Sequence, residues 1–353
     1  MHVDYLIIGQ GISGTWLSYF LELENRSFMV LDDHSPTAPS RLAAGVINPV
    51  TGRRHSTTWM ADQLFPFAWE HYHALGGKLG ITAISQKNII DFFPNPEVRQ
   101  HFIQRTKEGN SYTRMPDNES GYREFFNHDF GYGVISPAYT AHLSVIIPAW
   151  REYLAGRKAL MEGSFQPADL VQTDPGIRYR DISAQAILFC DGAAASDQPW
   201  FSMLPFAMNK GEALTLEIPG LAPDQIYKRG MSLVPLPQKD QWWIGSSYTW
   251  DPEHLLPTTA FLEQTEQWLR KWLKLPFRIT GHVAGARPAT LERRPFVGMH
   301  PHHPSIGILN GMGTKGCSLA PYFARQLVRH LLYKDPISPE ADIRRFTRLL
   351  SRG

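Results

Sequence analysis

Six residues near the start of the chain, Gly9-Gln10-Gly11-Ile12-Ser13-Gly14, carry the spacing G-x-G-x-x-G. That spacing serves to hold a dinucleotide pyrophosphate. Gly9 permits a tight turn out of a strand, Gly11 lets the backbone approach the phosphates, and Gly14 lets a helix pack close to a sheet. Ile12 and Ser13 open that helix, whose free N–H groups and positive dipole end favour a phosphate. Asp32 follows Gly14 by 18 residues and is read as the carboxylate for a ribose diol, with Asp33 as the alternative. An acid at this place favours FAD or NAD over NADP.

The flanks supply the elements such a turn needs. Tyr5–Ile8 is a short apolar run ending at glycine, as in a buried parallel strand. Trp16, Leu17, Phe20 and Leu21 form a helical stripe that Asn25 ends. Phe28–Leu31 is a second apolar run, so residues 3–32 read as one β-α-β crossover unit.

Three more stretches narrow the cofactor. Ser40-Arg41-Leu42-Ala43-Ala44-Gly45 offers small residues for close approach to a flat ring, and Ser40 and Arg41 offer donors for phosphate. The second stretch is Gly285-Ala286-Arg287-Pro288-Ala289-Thr290-Leu291-Glu292, continuing through Arg293-Arg294-Pro295-Phe296-Val297-Gly298. The third, Asn310-Gly311-Met312-Gly313-Thr314-Lys315-Gly316-Cys317-Ser318-Leu319-Ala320-Pro321, is a glycine-rich turn leading into a helix. In this order, and along essentially the whole chain, these motifs resemble the D-amino-acid oxidase/glycine oxidase (DAO) superfamily of FAD-dependent oxidoreductases.

The resemblance implies an α/β fold with two parts. A Rossmann-like FAD-binding domain of the DAO type takes residues 1–80, 142–208 and 281–353. An inserted mixed β-sheet substrate domain takes 81–141 and 209–280. FAD is the implied cofactor, contacted by Ser40, Arg41, Ala43, Ala44 and Gly45 and by Gly192, Gly311, Gly313, Lys315 and Gly316. The helix after Gly316 is implied to face the flavin N1/C2=O edge, where a helix N-terminus stabilises the charge of reduced flavin.

The same resemblance suggests catalytic residues. Arg287 stands where glycine-oxidase-like members bind a substrate carboxylate, a task suited to a planar guanidinium. The alternative is a structural arginine paired with Glu292 or a backbone carbonyl. Some members attach flavin through a Cys at this position, so with Arg287 there FAD is expected to be non-covalent. Lys315 matches a lysine that contacts substrate carboxylate in sarcosine-oxidase-like members; electrostatics at the flavin edge is the alternative. Arg53 and Arg54 match arginines near the flavin. Tyr248 and Trp250 are expected to wall the substrate site, with sheet packing as the alternative. The implied reaction moves a hydride from the α-carbon of a small amine or amino acid to flavin N5, giving an imine that hydrolyses. The protein has to hold that carbon, fix any carboxylate and favour a neutral amine.

Other reactive residues are read as structural. Cys190 ends a buried strand and Cys317 is a packed thiol. His300, His302 and His303 lie in a proline-bounded loop without an acidic or Cys partner, so no metal is expected. His71 and His73 point to different helix faces. Arg344, Arg345, Arg348 and Arg352 read as a solvated helical face.

Composition narrows the classes. At 353 residues, 43% hydrophobic and 19% charged, the chain buries a large core and exceeds one ordinary domain. Lys plus Arg is 35 against 33 Asp plus Glu, a net of +2, which argues against a nucleic-acid partner. Two Cys exclude a disulfide framework. No apolar run approaches the roughly 20 residues of a membrane span. No basic leader precedes Val3, so a cytoplasmic chain is expected. Residues 55–80, 142–160 and 260–275 read as helices, with Pro148 kinking or ending the second, and 81–141 as short strands without a long helix. Two other functions share the motifs. One is the oxidase part of a tRNA-wobble-uridine modification enzyme, against which the low net charge and the lack of a methyltransferase domain count. The other is a non-catalytic flavin-binding subunit.

Overall fold

The structure is a computed structural model and describes residues 1–250 and 252–351. In chain order, the elements used below begin with β1 (His2–Ile8), α1 (Ile12–Leu23), β2 (Phe28–Asp32), α2 (Ala61–Leu79), α3 (Pro96–Lys107) and α4 (Leu143–Gly156). They continue with β3 (Ile182–Phe189), β4 (Asn209–Glu217), β5 (Gln241–Gly245), α5 (Thr259–Trp272), β6 (Arg278–Arg287), β7 (Ile306–Asn310) and α6 (Gly316–Tyr333).

The first sheet has eight strands, with β1 parallel to β2 on one side and to β3 on the other, and β7 parallel to β3. Both faces are covered, which is why its strands are apolar runs and not alternating ones. Tyr5 and Ile7 of β1 pack with α1, α2, α4 and α6, while Leu6 and Ile8 pack on the opposite face against Phe189 and Phe201. Helix α1 is buried along nearly its whole length. Its Trp16 meets the ring of Tyr72 edge-on at 4.8 Å.

The second sheet has nine strands, among them β4, β5 and β6. Alternation along β4 separates its faces. Leu214 and Leu216 pack under α5 with Leu269 and Trp272, and Gly211 and Ala213 face a cavity. The first face supplies the core, and the second is left small and open.

Several expectations are corrected here. Helix α3 crosses a region expected to have no long helix. Its signals are caps: Asn95 accepts the Val98 N–H at 3.0 Å, Pro96 opens the helix, and Arg105 and Lys107 close it. Only Phe102 of this helix is buried, so no apolar stripe announced it. Pro148 neither ends nor breaks α4. Both Pro148 and Ser144, whose carbonyl loses its helical partner, lie on the exposed face, so the freed group is open to solvent. Residues 50–57 form a small hairpin, and α2 starts only at Ala61. The boundary expected at residue 281 falls inside β6, which pairs with β4 from Arg278↔Glu217 to Arg287↔Asn209. All of β6, including Arg287, therefore belongs to the second sheet.

Candidate cofactor and substrate site

A cavity of about 590 Å³ runs from the carboxyl ends of β1 and β3 to the open face of the second sheet. Crevices at the carboxyl ends of parallel strands are where open α/β sheets take ligands.

At one end lies the glycine turn. Gly9 has φ +95°, and a Cβ there would sit 2.7 Å from the Cys190 carbonyl oxygen. A Cβ at Gly14 would overlap the carbonyl oxygen of Gly9. Gly9, Gly11, Ile12 and Ser13 all line the cavity. Ser40 Oγ accepts the Ile12 N–H at 2.9 Å, so Ser40 caps the first turn of α1. Ala43, Ala44 and Gly45 line the wall. Gly45 has a reason beyond small size: its φ is +77°, and a Cβ would overlap the Ala141 carbonyl oxygen.

Asp32 lies at the end of β2, buried and cavity-lining, with Asp33 beside it. Its carboxylate accepts the Gln10 N–H at 2.8 Å, the His34 N–H at 3.0 Å and Arg151 Nη1 at 2.7 Å. Arg41 Nη2 stands 3.6 Å from the same carboxylate, and Arg41 is not among the lining residues. The expected phosphate donor is therefore turned toward an acid. Burial holds its guanidinium below the usual range, with the Asp32 charge opposing the shift. Sequence reasoning passed over Arg151; its signal is a charged residue between Trp150 and Leu154 on an apolar helix face.

Gly192 lines the cavity after Asp191, another residue that sequence reasoning did not single out. Burial pushes the Asp191 carboxyl up to about 7, against hydrogen bonds from Gln198 and Asn310. Gly313 and Gly316 line the cavity with Thr314 and Cys317, while Gly311 is buried against Thr290 and does not. Burial pushes the Cys317 thiol up to about 12 and also raises that of Cys190. Neither is a thiolate nucleophile near neutral pH.

Lys315 is not brought into the cavity lining. Its ammonium donates to the Asn48 carbonyl at 3.3 Å and to Thr58 Oγ1 at 3.2 Å. Burial, aided by the charge of Lys228, pushes it down to about 8. Arg53 and Arg54 stand exposed at the tip of the 50–57 hairpin, away from the cavity.

At the other end, Arg287 lines the cavity from the last position of β6. Nη1 donates to Asn209 Oδ1 at 2.5 Å and to the Ser247 carbonyl at 3.2 Å. Nη2 donates to Ser246 Oγ at 2.6 Å and to the same carbonyl at 3.2 Å. The guanidinium carbon lies 4.8 Å from the centre of the Tyr248 ring. A Cβ at Gly211 would overlap the guanidinium, so glycine there makes its room. Glu292 pairs with Arg345 at 3.2 Å and not with Arg287, leaving the backbone-carbonyl alternative. Trp250 is exposed and not among the lining residues.

The buried Lys210 stands 3.3 Å from Glu212, which also lines the cavity, and His282 Nε2 stands 3.0 Å from Glu212. Lys210 donates to the Leu256 carbonyl at 2.5 Å, and Glu212 accepts the Thr258 N–H at 2.6 Å. These hydrogen bonds pin the segment that follows Tyr248. His300 is pushed down to about 4 by burial and by His303 and His302. Among the described residues, no group of three or more His, Cys, Asp or Glu could hold a metal ion. No described helix is long and apolar enough to cross a membrane. Arg352 lies outside the described residues.

The family model of FAD-dependent oxidoreductases named DAO matches residues 4–330. The chain belongs to the DAO family of FAD-dependent oxidoreductases. Similar solved structures share the fold at low identity. Glycine oxidase from Geobacillus kaustophilus has a TM-score of 0.79 at 17% identity, over 98% of each chain. L-proline dehydrogenase from P. horikoshii has 0.76 at 15%, again over 98% of each. L-α-glycerophosphate oxidase from Mycoplasma pneumoniae, with FAD bound, has 0.74 at 13%, over 96% of this chain and 97% of that one. The cofactor of this DAO chain is FAD. The residues fit it: Gly9, Gly11 and the start of α1 line the cavity at the first strand end, and a buried carboxylate stands at the second.

Proposed function

We propose that this DAO chain oxidises a carbon–nitrogen bond in a small amine or amino acid, with FAD held non-covalently. In this reading Gly9, Gly11 and the first turn of α1 hold the pyrophosphate, and Asp32 or Asp33 the ribose. Ala43, Ala44, Gly313 and Gly316 wall the flavin. FAD supplies a two-electron acceptor that takes a hydride. The substrate carbon gives up that hydride and its nitrogen a proton. The resulting imine takes up water to give a carbonyl compound and release the nitrogen.

The observation that carries the reading is the continuity of one cavity. It joins the glycine turn to a sheet face kept small at Gly211, Ala213, Gly245 and Gly285 and closed by Arg287. Small residues leave room for a flat ring and a small substrate between the sheets. Lys315 donates to Asn48 and Thr58, away from this face, so it is not assigned to the substrate. Two buried, protonated thiols on the wall support non-covalent binding. The amino-acid and imino-acid enzymes among the similar structures support the substrate class.

The test is an absorbance spectrum of the purified protein followed by anaerobic addition of amines and amino acids. The expected result is a flavin band, released on denaturation, that bleaches with at least one compound. A flavin band that none of them bleaches ends the proposal.

A further inference from the structure

The charged residues lining the cavity are Asp32, Asp33, Asp191, Glu212 and Arg287, so Arg287 is the one cation among the described lining residues. A substrate carboxylate entering a buried site needs a cation with free hydrogens, because an unpaired buried charge is costly. A guanidinium has five N–H groups, four of them on its two Nη atoms. Here each Nη has two acceptors, Asn209 and Ser247 for one and Ser246 and Ser247 for the other. The Ser247 carbonyl sits between the two Nη atoms and takes the end-on place of a carboxylate, and with both Nη groups engaged only Nε–H is left, too little for a side-on bidentate pair. Arg287 thus holds the Ser246–Tyr248 turn in place.

Apolar side chains also line the substrate end, among them Trp243, Val283 and Leu255. Four large apolar side chains on one stretch stay exposed: Tyr248 at 62%, Trp250 at 57%, Leu255 at 48% and Leu256 at 69%. Tyr248 and Leu255 also line the cavity. Lys210 and Glu212 pin this stretch at Leu256 and Thr258, so the apolar rim is fixed and continuous with the site. A fixed apolar surface open to water marks a binding site for apolar matter.

We propose that the substrate is an amine without a carboxylate, carrying an aromatic or aliphatic group that the rim of Tyr248, Trp250, Leu255 and Leu256 clasps. The inference rests on the amine-oxidation reading above. Arg287 acts in it as a positioning residue that shapes the rim through Ser247 and Tyr248.

The test uses the holoenzyme in anaerobic reductive titrations with matched pairs: 2-phenylethylamine against D- and L-phenylalanine, and benzylamine against D- and L-phenylglycine. Each amine is expected to saturate flavin reduction at a concentration at least about tenfold lower than its carboxylated partner. Tighter binding of the carboxylated partners overturns the proposal and leaves the amine-oxidation reading standing. No reduction by either class overturns both. Leu255→Ser is expected to raise the apparent Kd for 2-phenylethylamine about tenfold, because the serine no longer covers the apolar group of the amine, with FAD content unchanged. An unchanged Kd overturns the role of the rim.

Discussion

The dinucleotide end of the cavity is shaped by backbone against backbone, and the substrate end by side chain against side chain. At Gly9 and Gly14 an added methyl group meets a backbone carbonyl oxygen one residue past the end of β3 or β1, which cannot move without disturbing that strand end. At Arg287 the neighbours are Asn209, Ser246, Ser247 and Tyr248, groups on β4 and on the segment after β5. The first kind of packing tolerates almost no change of residue. The second tolerates change but passes it on to every group in the cluster.

The sharpest way to break this comparison is Gly14→Ala. It is expected to weaken FAD binding by about 1000-fold, roughly 4 kcal/mol. The flavin-to-protein absorbance ratio after purification reads it out, and full flavin content would show that the turn yields. Arg287→Ala should do the opposite, keeping FAD while lowering kcat/KM about 100-fold. It leaves Asn209, Ser246 and the Ser247 carbonyl without a donor, each at a cost of about 1–3 kcal/mol. Loss of flavin in this variant would mean that the two ends are not separable.

Asp191 gives a smaller and graded effect. Its folded carboxyl is raised from 3.8 to about 7, so the folded chain holds a proton that the unfolded chain has released. Stability is therefore greatest at low pH for this group and is lost as pH rises toward about 7, at no more than about 1.4 kcal/mol per pH unit. Melting curves between about pH 5 and 8 should flatten in Asp191→Asn relative to the parent. Equal slopes would remove Asp191 from the account. The smallest effect belongs to Arg53→Ala with Arg54→Ala, which should leave flavin spectrum and stability within about 0.5 kcal/mol. A shifted flavin spectrum would return the hairpin tip to the site.

What could be read from the sequence divides along the same line. The glycine turn and the place of Asp32 are legible because they fall within one β-α-β unit of about thirty residues, whereas the reason for Gly45, the Ala141 carbonyl, lies far along the chain. Arg287 is legible as a residue but not in its bonds, since Asn209, Ser246 and Ser247 lie 78, 41 and 40 residues away. Lys315 sits on a turn whose motif fixes the backbone and leaves the long side chain to find Asn48 and Thr58. Arg151 reaches Asp32 from 119 residues away, and no spacing rule predicts that meeting. Helix α3 carries caps without an apolar stripe, so a search for periodicity passes over it.

Gly211 and Arg287 share one volume: the guanidinium fills the place where any other side chain at 211 would begin. An alanine at 211 would have to push the guanidinium aside, and with it the bonds to Asn209, Ser246 and Ser247. One methyl group on β4 would thereby loosen the Tyr248 turn on the far side of the arginine.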